Sequence, residues 1–295
     1  MVPTNERNHL SVAFEYEGNI FLFDCGEATQ HQIKRMKLPI GKIKRIFISH
    51  WHADHTIGLI GLIQTLSNTQ GIEKIEIHGP KDSKKYIDHM LKSTIFEPRF
   101  EIEVNEHNPQ KDQIKEIIST SNYKIYCAKL NHGVPCIGYR FEEKDVFNIN
   151  KEKAKEYGLE QSPLLARAKM GMDIQLNNKT ISHKEITYTK KGLTLAFIFD
   201  TRPCNEISLL AENVDHLIME ATFLYSKHHD KAEEYDHMSA KETAQIAKDN
   251  NVKHLIITHF SQRYKDTKEI EEEAREIFEN TTSTYDLMTL PIKKN

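Results

Sequence analysis

The chain has 295 residues, of which 38% are hydrophobic and 28% are charged, and its formal net charge is −3. This length suits one large α/β domain or two small ones, and the near-neutral charge gives no overall signal for a nucleic-acid partner, although local basic patches remain compatible with one. We expect a cytoplasmic protein, because no run approaches the roughly 20 apolar residues of a membrane span and the N-terminus lacks the apolar segment of a signal peptide.

Short runs rich in Ile, Leu, Phe and Val alternate with loops and helical patterns along the chain. Runs of this kind are typical of strands that are buried on at least one face. In chain order they are NIFLFD (19–24), KRIFIS (44–49), KIEIHG (74–79), YKIYCAKL (123–130), LTLAFIF (193–199), HLIM (216–219) and HLIIT (254–258). A last strand-like run, STYDLMTLPI, covers 283–292.

Helical patterns lie between some of these strands. HTIGLIGLIQTL (55–66) has apolar residues at helical spacing, and a later segment opens with Ser239 and Glu242, which form a capping-box pattern. DTKEIEEEAREIFEN (266–280) is charged and amphipathic, as expected of an outer helix. Strands and helices mixed along the whole length predict a layered α/β domain.

Residues 142–191 differ in composition from the rest of the chain. They are rich in Lys, Glu and Asn, with a helical pattern in KEKAKEYGL (151–159) and an apolar patch in PLLARAKMGM (163–172). Composition alone leaves two alternatives open: a surface excursion, or a protruding arm that contacts a partner.

The densest group of ligand-type side chains lies in HWHADH and consists of His50, His52, Asp54 and His55. In an extended loop, residues i and i+2 point the same way, so His50 and His52 can share one metal ion. Asp54 and His55 lie at the start of a helical pattern and can face a second ion. Imidazole and carboxylate are ligands that zinc accepts, and an incomplete protein shell leaves room for a catalytic water.

Three more candidate ligands each follow the C-terminal end of an apolar strand pattern: His132, Asp200 and His259. Sheets in α/β proteins place their sites at that edge. Each residue alone could instead be a polar residue that ends its strand. Together with the loop they supply enough ligands for two metal ions if Asp200 is shared. No C-x-x-C pair suggests a cysteine zinc site, and we expect reduced thiols at Cys25, Cys127, Cys136 and Cys204.

Six motifs in a fixed order are more specific than the histidine cluster alone. They are LFDCGEATQHQ (22–32), HWHADH (50–55), NHGVPCIGYR (131–140), FDTRP (199–203), MEATF (219–223) and THFSQRY (258–264). This set resembles ribonuclease Z, the tRNA 3′-processing endonuclease of the metallo-β-lactamase fold. The resemblance implies an α/β protein with a four-layer αββα sandwich and an inserted arm.

The resemblance also implies two zinc ions per subunit and a role for each motif residue. One zinc ion would be held by His50, His52 and His132. The other would be held by Asp54, His55 and His259. Asp200 would bridge them. Catalysis would depend on Asp54, Glu220 and His237, the last two as a paired general acid.

The sequence departs from the family pattern at several positions. Met219 stands where the family usually has His, and Met238-Ser239 stands where it favours Ser-Thr. Both changes leave Glu220 and His237 in place. The family's opening apolar strand and Gly-rich turn have no counterpart before VPTNERN (2–8), so either the start is displaced or the first family strand is absent. A lost strand would expose a sheet edge.

In the family, the arm that grips the tRNA elbow lies between the His132 and Asp200 motifs. The resemblance therefore favours an inserted tRNA-binding arm at 142–191, within a catalytic domain formed by 1–141 and 192–295. Ser162-Pro163 stands where the family arm usually has Gly-Pro. Candidate contacts to tRNA phosphates are Lys151, Lys153, Lys155, Arg167 and Lys169.

The implied function is that of a zinc-dependent endoribonuclease, in the form of a homodimer. It would remove the 3′ trailer from precursor tRNA and leave a 3′ hydroxyl on the tRNA and a 5′ phosphate on the trailer. An alternative is a phosphodiesterase of the same fold that acts on small phosphodiesters, since the same metals would cut either substrate. A second alternative, an RNA-binding module with structural metals, is disfavoured because structural zinc sites usually leave no coordination position open.

Overall fold

Two β-sheets form the centre of the computed structural model, which describes residues 2–177 and 179–292. The first sheet contains five strands that lie side by side in chain order: β1 (Val12–Tyr16), β2 (Asn19–Phe23), β3 (Ile43–Phe47), β4 (Lys74–Pro80) and β5 (Glu101–His107). The β1 strand is antiparallel to β2, and the others run parallel.

The second sheet contains seven strands and mixes parallel with antiparallel pairs. Across the sheet the order is β16 (Thr281–Ser283), β15 (His254–Thr258), β14 (His216–Glu220), β13 (Thr194–Ile198), β8 (Ile137–Glu143), β7 (Tyr123–Lys129) and β6 (Ile114–Ser119). Because β8 is antiparallel to both β7 and β13, the C-terminal ends of β7, β13, β14 and β15 lie at the same edge.

Helices cover the outer face of each sheet. Those that follow strands of the first sheet are α1 (Thr29–Arg35), α2 (Ala53–Thr56), α3 (Gly58–Ser67) and α4 (Ser83–Lys92), with a 3-10 turn at Ile40–Lys42. Those on the side of the second sheet are α8 (Asn205–Ala211), α9 (Tyr225–Glu234), α10 (Ala240–Asp249) and α11 (Lys268–Arg275). The result is the predicted αββα order of layers. In the described residues, no helix is both long and apolar enough to cross a membrane.

An aromatic core fills the space between the sheets. The rings of Phe23 from the first sheet and Phe197 from the second stack with their centroids 3.6 Å apart. Phe14 meets Phe141 edge-on at 5.0 Å. Removing a buried ring of this kind typically costs about 3–5 kcal/mol of stability. This rigid core holds the strand ends of the two sheets at a constant separation.

Residues 144–191 form a separate small unit that leaves the second sheet after β8. Its elements are β9 (Val146–Ile149), α5 (Lys151–Glu156), α6 (Leu165–Lys169), β10 (Ile174–Leu176), β11 (Lys179–Ile181), α7 (His183–Ile186) and β12 (Thr187–Lys190). Its apolar side chains form their own cluster, which includes Leu159 and Ile186. After this unit the chain re-enters the second sheet at Gly192. A Cβ atom at this position would lie 1.9 Å from the carbonyl oxygen of Glu143, so the close approach requires glycine.

Each of the seven apolar runs is a strand in the structure, and the capping box of Ser239 and Glu242 begins α10 as predicted. The prediction for 283–292 was wrong beyond Ser283, because β16 ends there. The residues that follow pack Leu290 and Ile292 against the aromatic core without pairing in a sheet. The strand-like pattern reflects apolar residues that are packed against the core but do not form a strand. The absence of a first family strand stays a prediction.

Candidate metal centre

The predicted metal ligands meet at one edge of the molecule, where the strands of both sheets end. The loop between β3 and α2 carries His50 and His52, while α2 itself begins at Ala53. Asp200 follows β13 and His259 follows β15 from the other sheet. The αββα packing therefore brings together residues that are far apart in the chain.

The first group of candidate ligands consists of His50, His52, His132 and Asp200, whose ligand atoms lie within 4.8 Å of one another. The Nε2 atom of His50 lies 2.9 Å from Nδ1 of His52 and 3.6 Å from Oδ2 of Asp200. The Nε2 atom of His132 lies 3.4 Å from the same nitrogen of His52. These nitrogens and the carboxylate face a common point.

The second group consists of Asp54, His55, Asp200 and His259, again with ligand atoms within 4.8 Å of one another. The Nε2 atom of His55 lies 3.2 Å from one oxygen of Asp200, and Nε2 of His259 lies 3.3 Å from the other. Asp54 Oδ2 lies 3.7 Å from His259 Nε2. Asp200 thus offers one carboxylate to both groups.

The residues present fit bound cations. Three buried atoms of the second group have no hydrogen-bond partner among the described residues: Nε2 of His55, Oδ1 of Asp200 and Nε2 of His259. Burying polar atoms without partners is costly, and here they converge on one point. Imidazole nitrogens with carboxylate oxygens are also the donor set that zinc accepts.

The charge states also suit divalent cations. Burial opposes the charge on Asp200, but attraction to His259 and His55 outweighs it and holds the pKa of this carboxyl well below its usual range. Burial likewise opposes the charge on Asp54, but the nearby His259 and attraction to His55 outweigh it and hold the pKa of this carboxyl low. Burial lowers the pKa of His50, which favours the neutral form that binds metals.

In three of the candidate ligands, a hydrogen bond holds the ring nitrogen that faces away from the metal centre. Nδ1 of His50 lies 3.0 Å from the Ser49 hydroxyl, which itself donates to Asp24. Nδ1 of His55 lies 2.7 Å from Asp24 Oδ2. Nδ1 of His132 lies 3.1 Å from a backbone carbonyl oxygen, so its N–H donates there. In the neutral form of each ring, these contacts leave Nε2 with the lone pair that faces the centre.

Comparison with known proteins identifies the family and the fold of this chain. Ribonuclease Z of Methanothermobacter thermautotrophicus is 36% identical to this chain over 293 residues, which cover 99% of this chain and 94% of that protein. The chain belongs to the ribonuclease Z family. The crystal structure of human tRNase Z, short form, is 26% identical, with a TM-score of 0.72 and coverage of 99% of this chain and 96% of the human chain.

Two further matches concern the fold and the N-terminal half. The metallo-β-lactamase fold protein YhfI from Bacillus subtilis superimposes with a TM-score of 0.64 at 19% identity, covering 96% of this chain and 92% of its own. The family described as anti-Pycsar protein Apyc1 matches residues 4–148. The predicted metallo-β-lactamase fold and the resemblance to ribonuclease Z are confirmed.

The Glu220–His237 pair lies beside the ligand groups of this ribonuclease Z family member. Nδ1 of His237 lies 3.0 Å from Oε2 of Glu220, whose other oxygen accepts the backbone N–H of Thr201 at 2.7 Å. Burial opposes protonation of His237, but attraction to Glu220 and Asp200 outweighs it and raises the pKa to about 9. The imidazole is therefore charged at neutral pH and can give up a proton.

The structure brings together all seven candidate ligands and the Glu220–His237 pair, while the five basic candidates lie elsewhere, exposed on the unit formed by 144–191. Sequence reasoning missed the residues that position the ligands. Asp24 is buried and binds both the Ser49 backbone N–H and His55, and Thr222 contacts Nδ1 of His259 at 3.0 Å. The motifs LFDCGEATQHQ (22–32) and MEATF (219–223), which contain Asp24 and Thr222, were the available sequence signals for these roles.

Proposed function

We propose that this chain is a zinc-dependent endoribonuclease that removes the 3′ trailer from precursor tRNA and leaves a 3′ hydroxyl on the tRNA and a 5′ phosphate on the trailer. The observation that carries the proposal is the pair of ligand groups that share Asp200 at the strand-end edge. Membership of the ribonuclease Z family, with similarity over nearly the whole chain, supports the choice of substrate.

Two zinc ions per subunit fit the two ligand groups. The first would be held by His50, His52 and His132, the second by Asp54, His55 and His259, and Asp200 would serve both. Bound metals of this kind lower the pKa of water and stabilise charge on a phosphodiester undergoing in-line displacement. Asp54 and Asp200 supply the negative charge that offsets the cations within a largely buried site.

His237 would act as the general acid. Its side chain is 15% exposed, so it is accessible to a substrate, whereas the Glu220 side chain is fully buried. Glu220 is fixed by Thr201 and by the Thr222 hydroxyl and would keep His237 charged and oriented. Glu220 is thus a positioning residue, and His237 is the group that would meet the reacting atoms.

The proposed step is a hydrolysis. Water loses one proton to solvent, and its oxygen forms a bond to phosphorus while the bond between phosphorus and the ribose 3′ oxygen of the tRNA breaks. The proton released from water balances the one that His237 later takes up from solvent. The leaving oxygen takes a proton from the His237 imidazolium, which gives the 3′ hydroxyl. The phosphate stays on the first nucleotide of the trailer.

Residues 142–191 would form the arm that binds tRNA away from the cleavage site. Lys151, Lys153, Lys155, Arg167 and Lys169 all have exposed side chains. Ammonium and guanidinium groups contact phosphates without reading sequence, which suits a substrate recognised by its shape. The separate apolar cluster of this unit supports its treatment as an inserted element.

A homodimer and a cytoplasmic location belong to the same proposal and follow from the resemblance. Light scattering coupled to size-exclusion chromatography tests the first. A mass near 34.3 kDa would indicate a monomer and would contradict the dimer.

Cleavage of an end-labelled precursor tRNA by the zinc-loaded protein tests the function. A single cut at the trailer junction that leaves a 3′ hydroxyl is the expected result. A small chromogenic phosphodiester is assayed in parallel. Turnover of the small ester without any cut in precursor tRNA would overturn the tRNA assignment and favour the small-phosphodiester alternative.

Substitution of the proposed ligands tests the site itself. We expect Asp54→Ala and Asp200→Asn to stay folded and to lose at least about a thousandfold in turnover, since metal-based charge stabilisation amounts to several kcal/mol and each ~1.4 kcal/mol is tenfold in rate. Normal turnover by either purified, zinc-loaded variant would rule out the assignment.

A further inference from the structure

The rings of Trp51 and Tyr86 form a stacked pair, and Trp51 is adjacent in the chain to two candidate metal ligands. Trp51 is the single tryptophan of the chain and lies between His50 and His52 in the loop after β3. The two ring centroids are 5.3 Å apart with an interplanar angle of 27°. Tyr86, on α4, is 43% exposed. We call Trp51 and Tyr86 together the aromatic platform.

The platform is held in place by hydrogen bonds. The indole N–H of Trp51 donates to the Ser83 hydroxyl at 2.8 Å, and that hydroxyl donates to the carbonyl oxygen of Pro80 at 2.7 Å. Ser83 is fully buried. A ring fixed in this way loses little conformational freedom when a ligand stacks on it, which favours binding.

Three lysines lie next to the platform. Lys81, Lys84 and Lys85 precede Tyr86 in the chain and have exposed side chains. Two carboxylates lie close to them: Asp82 is on the same turn, and Glu106 accepts the backbone N–H of Lys84. An exposed aromatic ring flanked by lysines is suited to single-stranded nucleic acid, because bases stack and phosphates are neutralised.

We propose that the aromatic platform stacks a base of the single-stranded trailer next to the scissile phosphate, with the three lysines contacting trailer phosphates. This inference rests on the proposed function. His237, on the side of the second sheet, would protonate the oxygen that leaves with the tRNA body. The platform lies on the side of the first sheet, and the trailer therefore extends toward it. Stacking accepts any base, so this contact suits trailers of different sequence.

The single tryptophan makes the contact directly measurable. The probe is a precursor tRNA with a non-hydrolysable phosphonate linkage at the trailer junction, titrated into the zinc-loaded protein while Trp51 emission is recorded. We expect quenching of Trp51 emission by the precursor, and little change with the same tRNA ending at its 3′ hydroxyl. Binding of both RNAs is followed independently by the anisotropy of a fluorescent label.

Variants separate stacking from folding. Tyr86→Ala is expected to weaken binding of the precursor about tenfold, whereas Tyr86→Phe keeps the ring and the affinity. The matched control is Tyr285→Ala, which removes a tyrosine that is 69% exposed and lies outside the platform. Thermal unfolding of each variant confirms that the protein is folded.

Two outcomes overturn the inference and are distinguishable. If the precursor is cut and bound but neither Trp51 emission nor the Tyr86→Ala variant responds, the platform does not contact the trailer while the proposed function stands. If precursor tRNA is neither cut nor bound, the proposed function fails and the inference fails with it.

Discussion

At the scale of single residues, the candidate metal centre depends on which imidazole nitrogen each histidine presents. Ser49, Asp24, Asp236 and Thr222 each engage an Nδ1 atom, through a side chain or a carbonyl oxygen. Two of the groups involved, Asp24 and His259, lie in left-handed backbone conformations, with φ of 55° and 60°. Such conformations cost free energy in non-glycine residues and are often retained at functional sites.

Asp24 gives the first prediction at this scale. We expect Asp24→Asn to lower zinc affinity about 10- to 100-fold, because an amide cannot accept from both Ser49 and His55 as the carboxylate does. Competition with a chromogenic chelator measures the affinity. The control is Asp82→Asn, an exposed aspartate in a turn. Unchanged zinc affinity in a folded Asp24→Asn protein would show that Asp24 does not position His55.

His107 gives a second prediction, which concerns stability and pH. Its ring contacts His78 at 3.0 Å, and burial followed by repulsion from His78 lowers the pKa of His107 to about 4. An unfolded histidine has a pKa of about 6.5, so below that pH the unfolded chain takes up a proton that the folded chain does not. Stability attributable to this residue is present above pH 6.5 and is lost as the pH falls toward 4.

The size of this loss is no more than about 2 kcal/mol once solvent screening is allowed for. Urea unfolding of wild type and of His107→Gln between pH 7 and pH 4.5 measures it. As the pH falls, we expect the free energy of unfolding of the wild type to decrease more than that of His107→Gln. A difference that stays constant with pH would contradict the assignment.

At the scale of elements, the strands that were predictable from sequence are those in which apolar residues are densest. In β13, for example, four of five residues are buried, so the run of apolar residues is unbroken. Strands β5 and β6 were missed because their polar and apolar residues are mixed and their pairing depends on distant partners. The candidate ligands could be picked out from sequence because they occupy loops and a short helix that follow strands. Asp24 could not, because its contact with His55 exists only once β2 lies beside β3.

The arm gives the prediction at this scale. Replacing 146–190 by a short Gly-Ser turn, with Gly192 kept, should lower the ratio of precursor tRNA turnover to small-phosphodiester turnover at least about tenfold, because phosphate contacts carry much of the affinity for RNA. Initial rates on both substrates measure the ratio. The control removes two exposed lysines elsewhere, Lys248→Ala and Lys268→Ala. Equal loss on both substrates would count against a tRNA-binding role for the arm.

At the scale of the whole molecule, the net charge of −3 conceals a separation of functions. Five of the seven candidate ligands are buried where the two sheets end, while exposed lysines lie on the arm and next to the aromatic platform. RNA affinity depends on such local groups rather than on the sum of charges. The chain can therefore offer basic groups to a polyanion while it keeps carboxylates and imidazoles together as a separate site for cations.

The final prediction is that metal ions stabilise the whole fold. The candidate ligands come from loops and a helix that follow strands of both sheets, so bound cations would connect the two halves of the sandwich. Zinc at a thousandfold excess over its dissociation constant would add about 4 kcal/mol of stability, which corresponds to roughly 10 °C in Tm for a chain of this size. Differential scanning calorimetry of zinc-loaded and chelator-treated protein measures the shift. Asp200→Asn should show a smaller response to zinc, because it removes the carboxylate that both ligand groups share. Equal Tm values for the loaded and stripped wild type would mean that the cations do not hold the sheets together.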